Sequence, residues 1–272
     1  MKITFLGTAA AEGFPAVFCN CIYCQKARKL GGKNIRTRSQ ALINDDLLID
    51  LPADTYHHFL QNGIEGDKIE YLLVTHSHGD HFYPKELTMR AKPYAHDMRA
   101  PELKMYCGTG VEKKFLSLEK IPKNLSVEVL KPFQKVSFGE YTVTALPAKH
   151  FIGDDALFYI IESEKRILYA HDTGYFYEEV FAYIKEQNIR FDLITLDCTK
   201  GNDDVPDEHR HMGIGNNKRI VARLKEMGAV DEKTKVFVNH FSHNSAPFQE
   251  DLEKQLEADG YFVAYDGCVM EI

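Results

Sequence analysis

The sequence predicts an α/β fold, an αββα sandwich in which helices cover the outer faces of two packed sheets. Three observations support this prediction. The first half of the 272-residue chain is rich in short apolar runs, the second half alternates helix-like and strand-like segments, and polar candidate site residues follow directly after predicted strands. No internal repeat or linker interrupts the pattern, which therefore predicts one domain over residues 1–272.

The first half is expected to form strands with few helices. The predicted strands are Ile3–Leu6, Ala41–Ile43, Leu47–Asp50 and Ile69–Thr75, with one helix at Asp54–Gln61. Four successive antiparallel strands are then predicted at Leu125–Leu130, Tyr141–Leu146, Leu157–Glu162 and Arg166–Ala170. The last two flank a connection of hairpin length, residues 163–165.

Apolar residues recur at helical spacing in the second half, as at Val180, Phe181 and Ile184. The predicted helices are Tyr177–Gln187, Gly215–Met227 and Phe248–Ala258, and the predicted strands are Phe191–Leu196, Lys235–Val238, Tyr261–Ala264 and Cys268–Ile272. Alternation of this kind places the residues that follow each strand in loops at one edge of a sheet.

The composition limits the classes of partner. A formal net charge of −7 argues against long nucleic acid, which favours a basic face. No run approaches the roughly 18 apolar residues of a membrane span, and the first residues lack a signal-peptide pattern. We therefore expect a cytoplasmic protein without a membrane partner, in which the six cysteines are thiols or metal ligands rather than disulfides.

The segment His76-Ser77-His78-Gly79-Asp80-His81 follows an apolar strand and carries the strongest chemical signal. His76 and His78 are spaced to reach one metal ion if the backbone turns between them. Asp80 and His81 are better placed for a second ion, about 3.5–4 Å away in typical two-metal sites. Imidazole and carboxylate ligands suit Zn, Mn or Fe without selecting one of them.

This segment, together with the β-rich first half, resembles the metallo-β-lactamase superfamily across essentially the whole chain. The resemblance implies that His150 is a third ligand of the first metal, that Asp172 bridges both ions and that His240 completes the second site. Asp50 is expected to orient a ligand histidine or to cap the nearby helix. His171 neighbours Asp172, but strand alternation turns it away, so we assign it a packing role.

Three cysteines lie within six residues at Cys19, Cys21 and Cys24. Three thiolates with one further ligand form a common closed zinc shell, and the fourth ligand is Cys107, Cys198 or a histidine. A redox pair of Cys21 and Cys24, or a merely buried cluster, is the alternative. The run from Leu6 to Pro15 followed by these cysteines resembles a phosphodiesterase family of phosphonate breakdown that hydrolyses phosphoribosyl cyclic phosphate. That resemblance implies that His243, three residues after His240, completes the structural zinc site.

A proton donor for the leaving group is expected in the segment Asp207–Gly213. His211 matches the position at which the superfamily's phosphodiesterases place a catalytic histidine, and His209 is the second candidate. Asp80 is assigned to catalysis as well as to metal binding. Arg210 and Lys149 are weaker candidates for holding a phosphate.

The predicted function is a binuclear metal-dependent phosphodiesterase that hydrolyses a small cyclic phosphate or nucleotide phosphodiester through a metal-bridging hydroxide, with a homodimer as a possible assembly. One alternative is a tRNA 3′-processing endonuclease. Members of that family grip tRNA with a protruding arm, for which residues 172–191 are too short. The other alternative is a non-hydrolytic protein like that of pyrroloquinoline quinone biosynthesis, which shares the cysteine-rich start.

Overall fold

A computed structural model of the chain describes residues 1–151 and 155–272. The strands, in chain order, are β1 (Lys2–Gly7), β2 (Gln40–Ile43), β3 (Leu47–Ile49), β4 (Tyr71–Val74), β5 (Leu103–Cys107), β6 (Leu125–Val129), β7 (Lys135–Phe138), β8 (Tyr141–Pro147), β9 (Leu157–Glu162), β10 (Arg166–Ala170), β11 (Leu193–Asp197), β12 (Lys235–Asn239), β13 (Tyr261–Val263) and β14 (Cys268–Glu271). The α-helices are α1 (Ile22–Leu30), α2 (Thr55–Asn62), α3 (Thr109–Leu116), α4 (Glu178–Glu186), α5 (Ile214–Glu226) and α6 (Gln249–Leu256).

Two seven-stranded sheets are formed within the described residues. The first has the order β14-β1-β2-β3-β4-β5-β6, and the second has the order β13-β12-β11-β10-β9-β8-β7. Strands β3 to β6 run parallel to one another, and so do β10 to β13. The central parallel strands β4 and β11 are buried along their length, as expected where both faces of a sheet are covered, whereas β6 at the edge alternates partly buried and exposed residues.

The main core lies between the two sheets, where Phe5 packs on Phe237 with ring centroids 5.0 Å apart. A second apolar layer lies under α4 and α5, and it includes Val180, Phe181 and Ile184 as their helical spacing predicts. A third layer packs against the outer face of the first sheet and includes Val111 and Phe115 of α3. Helices therefore cover both outer faces, and the predicted αββα sandwich is confirmed.

One predicted pairing is wrong. The predicted strand Leu125–Leu130 does not belong to an antiparallel series with Tyr141–Leu146. It is observed as β6 and pairs in parallel with β5 in the first sheet. The other three strands of that series are antiparallel neighbours in the second sheet, as predicted. The error arises because the strand Leu103–Cys107 was missed in the sequence, so the true partner of β6 was absent from the prediction.

The topology places the candidate site. Chain segments leaving β3, β4, β10, β11 and β12 all emerge at the carboxyl ends of parallel strands, the edge where open α/β sheets usually hold their ligands. Asp50, His76, Asp172, Asp197 and His240 lie in or directly after these strand ends. Among the described helices, none is long and apolar enough to cross a membrane.

Candidate metal centre

Three histidines form the first ligand cluster at this edge. His76 and His78 come from the loop after β4, and His150 comes from the loop after β8. One ring nitrogen of each lies within 4.8 Å of the other two. His150 Nε2 is 3.1 Å from His78 Nδ1. The structure thus brings together the three residues that the sequence assigned to the first metal.

Asp80, His81, Asp172 and His240 form the second cluster, again within 4.8 Å of one another. Asp172 lies between the clusters, because its Oδ2 is 2.7 Å from His81 Nε2 and 3.4 Å from His76 Nε2. The same oxygen is 3.4 Å from His240 Nε2. Asp172 therefore lies within 3.4 Å of a ring nitrogen from each cluster, and its role as a bridging ligand stays a prediction.

Polar groups behind the imidazoles fix their orientation. His81 Nδ1 donates to Asp50 Oδ2 at 2.7 Å, and Asp50 in turn accepts hydrogen bonds from the backbone and hydroxyl of Thr75. His240 Nδ1 lies 2.8 Å from Thr199 Oγ1. With each Nδ1 engaged, the Nε2 atoms of His81 and His240 point into the centre, 3.2 Å apart. Contacts of this kind set the tautomer of metal-binding histidines.

Buried polar atoms show that the site fits cations. His76 Nε2 and His150 Nδ1 are buried and have no hydrogen-bond partner among the described residues. Buried nitrogens without partners are unfavourable unless something else satisfies them. Imidazole nitrogens with carboxylate oxygens are ligands for Zn, Mn and Fe. The two clusters, with Asp172 in contact range of both, therefore fit divalent metal ions.

The pKa shifts of the histidines also favour metal binding. Burial lowers the pKa of His76 and of His150, which favours the neutral imidazole that binds metal. Burial also acts to lower the pKa of His81, but the carboxylates of Asp50, Asp172 and Asp80 outweigh it and raise that pKa well above its ordinary value. The carboxylates thus make a positive charge favourable at the second cluster, whether a proton or a metal ion supplies it.

Three residues of the site hold left-handed backbone conformations. The φ angles are 66° for Asp50, 48° for Asp172 and 61° for His240. Non-glycine residues rarely adopt this region, and such strain concentrates at functional sites. Each lies just beyond the end of a strand, where the left-handed turn redirects the chain across the sheet edge.

His211 lies beside the clusters and His209 does not. His211 Nδ1 is 3.2 Å from Asp172 Oδ1 and 3.2 Å from Asp197 Oδ2. Burial acts to lower the pKa of His211, but the Asp197 charge and the contacts with both carboxylates raise it to about 10. His209 Nδ1 instead accepts a hydrogen bond from the His211 backbone N–H, so it braces the loop.

Asp197 is the residue that sequence reasoning missed. It ends β11, is fully buried, and accepts hydrogen bonds from Thr199 and from the backbone N–H of Met212. Its Oδ2 is 3.5 Å from His240 Nδ1. The available signal was a carboxylate closing an apolar strand, the same pattern that drew attention to Asp50.

His171 behaves as a packing residue, as predicted. It is fully buried, its Nε2 is 2.8 Å from Thr195 Oγ1, and its Nδ1 is 3.3 Å from Ser39 Oγ. Among the described residues it belongs to neither metal cluster.

Cys19, Cys21, Cys24 and His243 form a separate cluster, with one ligand atom of each within 4.8 Å of the others. Cys24 Sγ is 3.6 Å and Cys21 Sγ is 4.0 Å from His243 Nδ1. The Cys24 backbone N–H and the His243 contact lower the pKa of Cys21 to about 6, which favours a thiolate. Cys107 and Cys198, the other candidate fourth ligands, are buried in different apolar layers.

The cysteine cluster is joined to the metal centre through one loop. His240 and His243 are three residues apart. Phe241, which lies between them, forms backbone hydrogen bonds with Thr8 and Ala10 of the N-terminal segment. The residues fit one zinc ion held by three sulfurs and one nitrogen. Such an ion would tie the start of the chain to the edge of the candidate site.

Phe151 and Arg210 lie at the edge of the candidate metal centre. The Phe151 ring centroid is 5.5 Å from that of His78, and the Arg210 guanidinium carbon lies 5.5 Å from the Phe151 centroid. Lys149 is less available for a ligand, because its Nζ donates to the Asp207 carbonyl oxygen. A half-exposed ring and a cation therefore border the clusters.

Comparisons with known families and curated proteins agree with this geometry. The family model described as the beta-lactamase superfamily domain matches residues 48–241. Ribonuclease Z of Picosynechococcus sp. is 29% identical over 155 residues, 55% of this chain and 44% of the relative. Ribonuclease Z of Staphylococcus epidermidis is 30% identical over 93 residues, 34% of this chain and 26% of the relative. The matches thus span less than half the length of these curated relatives.

Solved structures share the fold at low identity. A diphosphatase described as new and from the PhnP family superposes with a TM-score of 0.75 at 19% identity, covering 100% of this chain and 97% of that one. Zinc-bound PqqB from Methylobacterium extorquens gives 0.77 at 17%, covering 100% of both chains. The short form of human tRNase Z gives 0.69 at 17%, covering 100% of this chain and 99% of that one.

Proposed function

The chain belongs to the beta-lactamase superfamily, and from that premise we propose that it is a two-metal hydrolase of small phosphodiesters, a cyclic phosphate or a nucleotide diester. The observation that carries the proposal is the pair of neighbouring ligand clusters, with Asp172 of the second cluster 3.4 Å from His76 of the first and His211 beside them. His76, His78 and His150 hold one ion, while Asp80, His81 and His240 hold the other.

Two bound divalent ions supply positive charge for the phosphate oxygens and an activated water at neutral pH. The protein's own contribution is orientation. Asp50 and Thr199 fix the imidazoles of His81 and His240, and Asp172 sets the spacing between the clusters. Preorganised ligands of this kind spare the site any rearrangement during the reaction.

His211 is the proposed proton donor for the leaving oxygen. Its Nδ1 lies between Asp172 and Asp197, so Nε2 is the nitrogen left to face a substrate. Asp197 favours the protonated ring, as a group that donates a proton requires. Asp80, partly exposed in the second cluster, is proposed to act in catalysis as well as in metal binding.

The cysteine cluster is proposed to hold a structural zinc ion. The loop it anchors carries His240 into the second cluster and Phe241 into the core. Thiolate character at Cys21 supports a metal ligand over a buried thiol.

A tRNA 3′-processing activity is the second candidate, because both curated relatives described above are ribonuclease Z proteins. Two features favour a small substrate over tRNA. The net charge is −7, which disfavours a long polyanion. The segment between β10 and β11 contains the nine-residue helix α4, and it is too short for the protruding arm with which the tRNA-processing family grips its substrate. A non-hydrolytic role, the other alternative that the sequence resemblance left open, would not explain the two nearby sets of metal-ligating residues.

Rates on three substrates test the proposal: a cyclic ribose phosphate, a 2′,3′-cyclic nucleotide and a tRNA precursor. We expect turnover of one or both small diesters and little cleavage of the precursor. His78→Ala should abolish hydrolysis of the small diesters and of bis(p-nitrophenyl) phosphate while the circular dichroism spectrum is unchanged. His57→Ala, an exposed histidine on α2, is the matched control. Turnover unaffected by His78→Ala contradicts the two-metal mechanism, and cleavage of the precursor alone supports the second candidate.

A further inference from the structure

A cavity of about 380 Å³ lies on the outer face of the first sheet, separate from both metal clusters and from the cysteine cluster. Helix α2 contributes Tyr56 and Phe59 to one wall, and the segment from Glu86 to Leu103 forms the other. The floor is built from outward-facing side chains of the sheet, including Leu48 and Leu72. This volume is within the range of small-molecule sites in proteins.

The walls are mainly apolar, but one cation lies among them. Arg90 lines the cavity, and its Nη2 donates to the Ala100 carbonyl oxygen at 2.7 Å. Its Nε is buried and has no hydrogen-bond partner in the part of the chain that the structure describes. Burial lowers the pKa of Arg90. A buried N–H of a charged group without an acceptor is unfavourable, so an acceptor bound in the cavity would satisfy the Nε–H.

The acidic groups on the wall limit the charge of that acceptor. Asp67 is engaged by Arg99, whose Nε donates to Asp67 Oδ2 at 2.6 Å. Glu86 adds a second negative charge to the lining. Repulsion from Glu86 and Asp67 disfavours a dianion such as a phosphate monoester, whereas a single negative charge matches the single positive charge of Arg90.

We propose that this cavity binds a small amphipathic monocarboxylate, whose carboxylate accepts hydrogen bonds from Arg90 and whose hydrocarbon part lies against Phe59, Leu72 and Leu87. The combination of an apolar body and one polar anchor is typical of small-molecule sites. The proposal is independent of the metal chemistry, because the cavity shares no residue with the ligand clusters.

Calorimetric titration of the full metal-loaded chain with sodium decanoate, below its micelle concentration, tests the proposal. We expect one decanoate per chain and weaker binding of decan-1-ol and of decyl phosphate. Arg90→Gln should weaken decanoate binding about tenfold or more, the usual size of a hydrogen bond to a charged group. Arg190→Gln removes the same charge from an exposed position on the second sheet's side and should leave the affinity unchanged.

Two further variants keep the result interpretable. Met89→Trp fills the cavity from its 44%-exposed rim without altering Arg90, so it should also reduce decanoate binding if Arg90→Gln proves unstable. His78→Ala should still bind decanoate, which excludes capture of the carboxylate by catalytic metals. The proposal is overturned by absence of saturable binding, by equal effects of the two arginine variants, by decanol or decyl phosphate binding as tightly as decanoate, or by loss of binding in His78→Ala.

Discussion

At the scale of single residues, the hydrogen bonds of the histidine rings decide which ring nitrogen faces the candidate site. Nδ1 of His81 and of His240 meets a protein oxygen, so the second nitrogen is directed inward. Asp197 acts on two residues at once, since its Oδ2 is 3.2 Å from His211 Nδ1 and 3.5 Å from His240 Nδ1. One buried carboxylate thus links the proposed proton donor to a proposed metal ligand.

Replacing His211 should affect substrates according to their leaving group. In His211→Gln we expect kcat to fall by about 10²–10⁴ for a diester that releases an alkoxide, the usual contribution of general acid catalysis. The loss should be much smaller for bis(p-nitrophenyl) phosphate, because p-nitrophenolate leaves without a proton. Steady-state rates on the two substrates measure the difference.

His209→Gln is the matched control for this experiment, because His209 lies on the same loop and contacts only the backbone of His211 in the hydrogen bonds described. It should lower both rates to a similar, modest extent. An equal loss on both substrates in His211→Gln contradicts the proton-donor role and indicates a positioning role instead.

Asp50 offers a test of the orienting contacts. Asp50→Asn retains the shape but removes the charge that accepts the His81 Nδ1 proton and the Thr75 donors. We expect affinity for one metal ion to fall by about 10–100-fold, as is typical when such a partner is lost. Competition with a chromophoric chelator measures the affinity, and Asp45→Asn at an exposed position is the control. Unchanged affinity for both ions contradicts the role assigned to Asp50.

At the scale of elements, the loop after β12 joins two parts of the molecule. Phe241 N donates to the Thr8 carbonyl, and Ala10 N donates to the Phe241 carbonyl. Arg36, which is 2% exposed, lies over the Phe241 ring and donates to Thr8 and Gln249. The position of His240 therefore depends on the N-terminal segment as well as on its own strand.

Removing the proposed zinc should loosen that loop. Cys21→Ser is expected to lose one zinc ion per chain, to keep the catalytic metals and to melt at a lower temperature, because metal binding contributes folding free energy. Elemental analysis and thermal melts measure the two effects. Cys268→Ser changes a buried cysteine outside the cluster and should keep the full zinc content. A zinc content in Cys21→Ser equal to that of the unaltered chain supports the redox or buried-thiol interpretation.

Elements with a strong hydrophobic pattern could be predicted from the sequence, whereas elements without such a pattern were missed. Leu157–Glu162 and Arg166–Ala170 match the predicted bounds, because apolar runs flank a short turn. Helix α1 was missed because most of its residues are polar, and its two buried positions, Cys24 and Ala27, are too few to form an apolar period. Strand β7 was missed because it carries Lys135 and Ser137 at the sheet's edge.

The candidate ligands could be proposed from short segments of the sequence, and the structure brings these residues together. The ligands come from short segments whose residue types are unusual together, such as three histidines and an aspartate within residues 76–81. Asp197 was missed because a single carboxylate at a strand end has many structural explanations, and its two histidine partners are 14 and 43 residues away. Only the parallel pairing of β11 and β12 brings it to His240. The Arg90 cavity likewise depends on packing that no local pattern encodes.

At the scale of the whole molecule, the two sheets meet at the metal centre. His76 and His81 follow a strand of the first sheet, while Asp172 and His240 follow strands of the second. Ions held at the proposed site would crosslink the halves of the sandwich and would neutralise buried carboxylates, which are costly when unpaired. Metal content should therefore govern global stability as well as activity.

Chelation followed by metal return tests this dependence. We expect the metal-free chain to melt several degrees below the loaded chain, since a ligand at a hundredfold excess over its Kd stabilises the native state by about 2.7 kcal/mol. Adding Zn²⁺ or Mn²⁺ should restore the melting temperature. In His78→Ala the restoration should be smaller, because one ligand of the first cluster is gone, whereas His57→Ala should recover fully. Identical melting curves with and without metal contradict a structural role for the ions at the junction, even if hydrolysis still requires them.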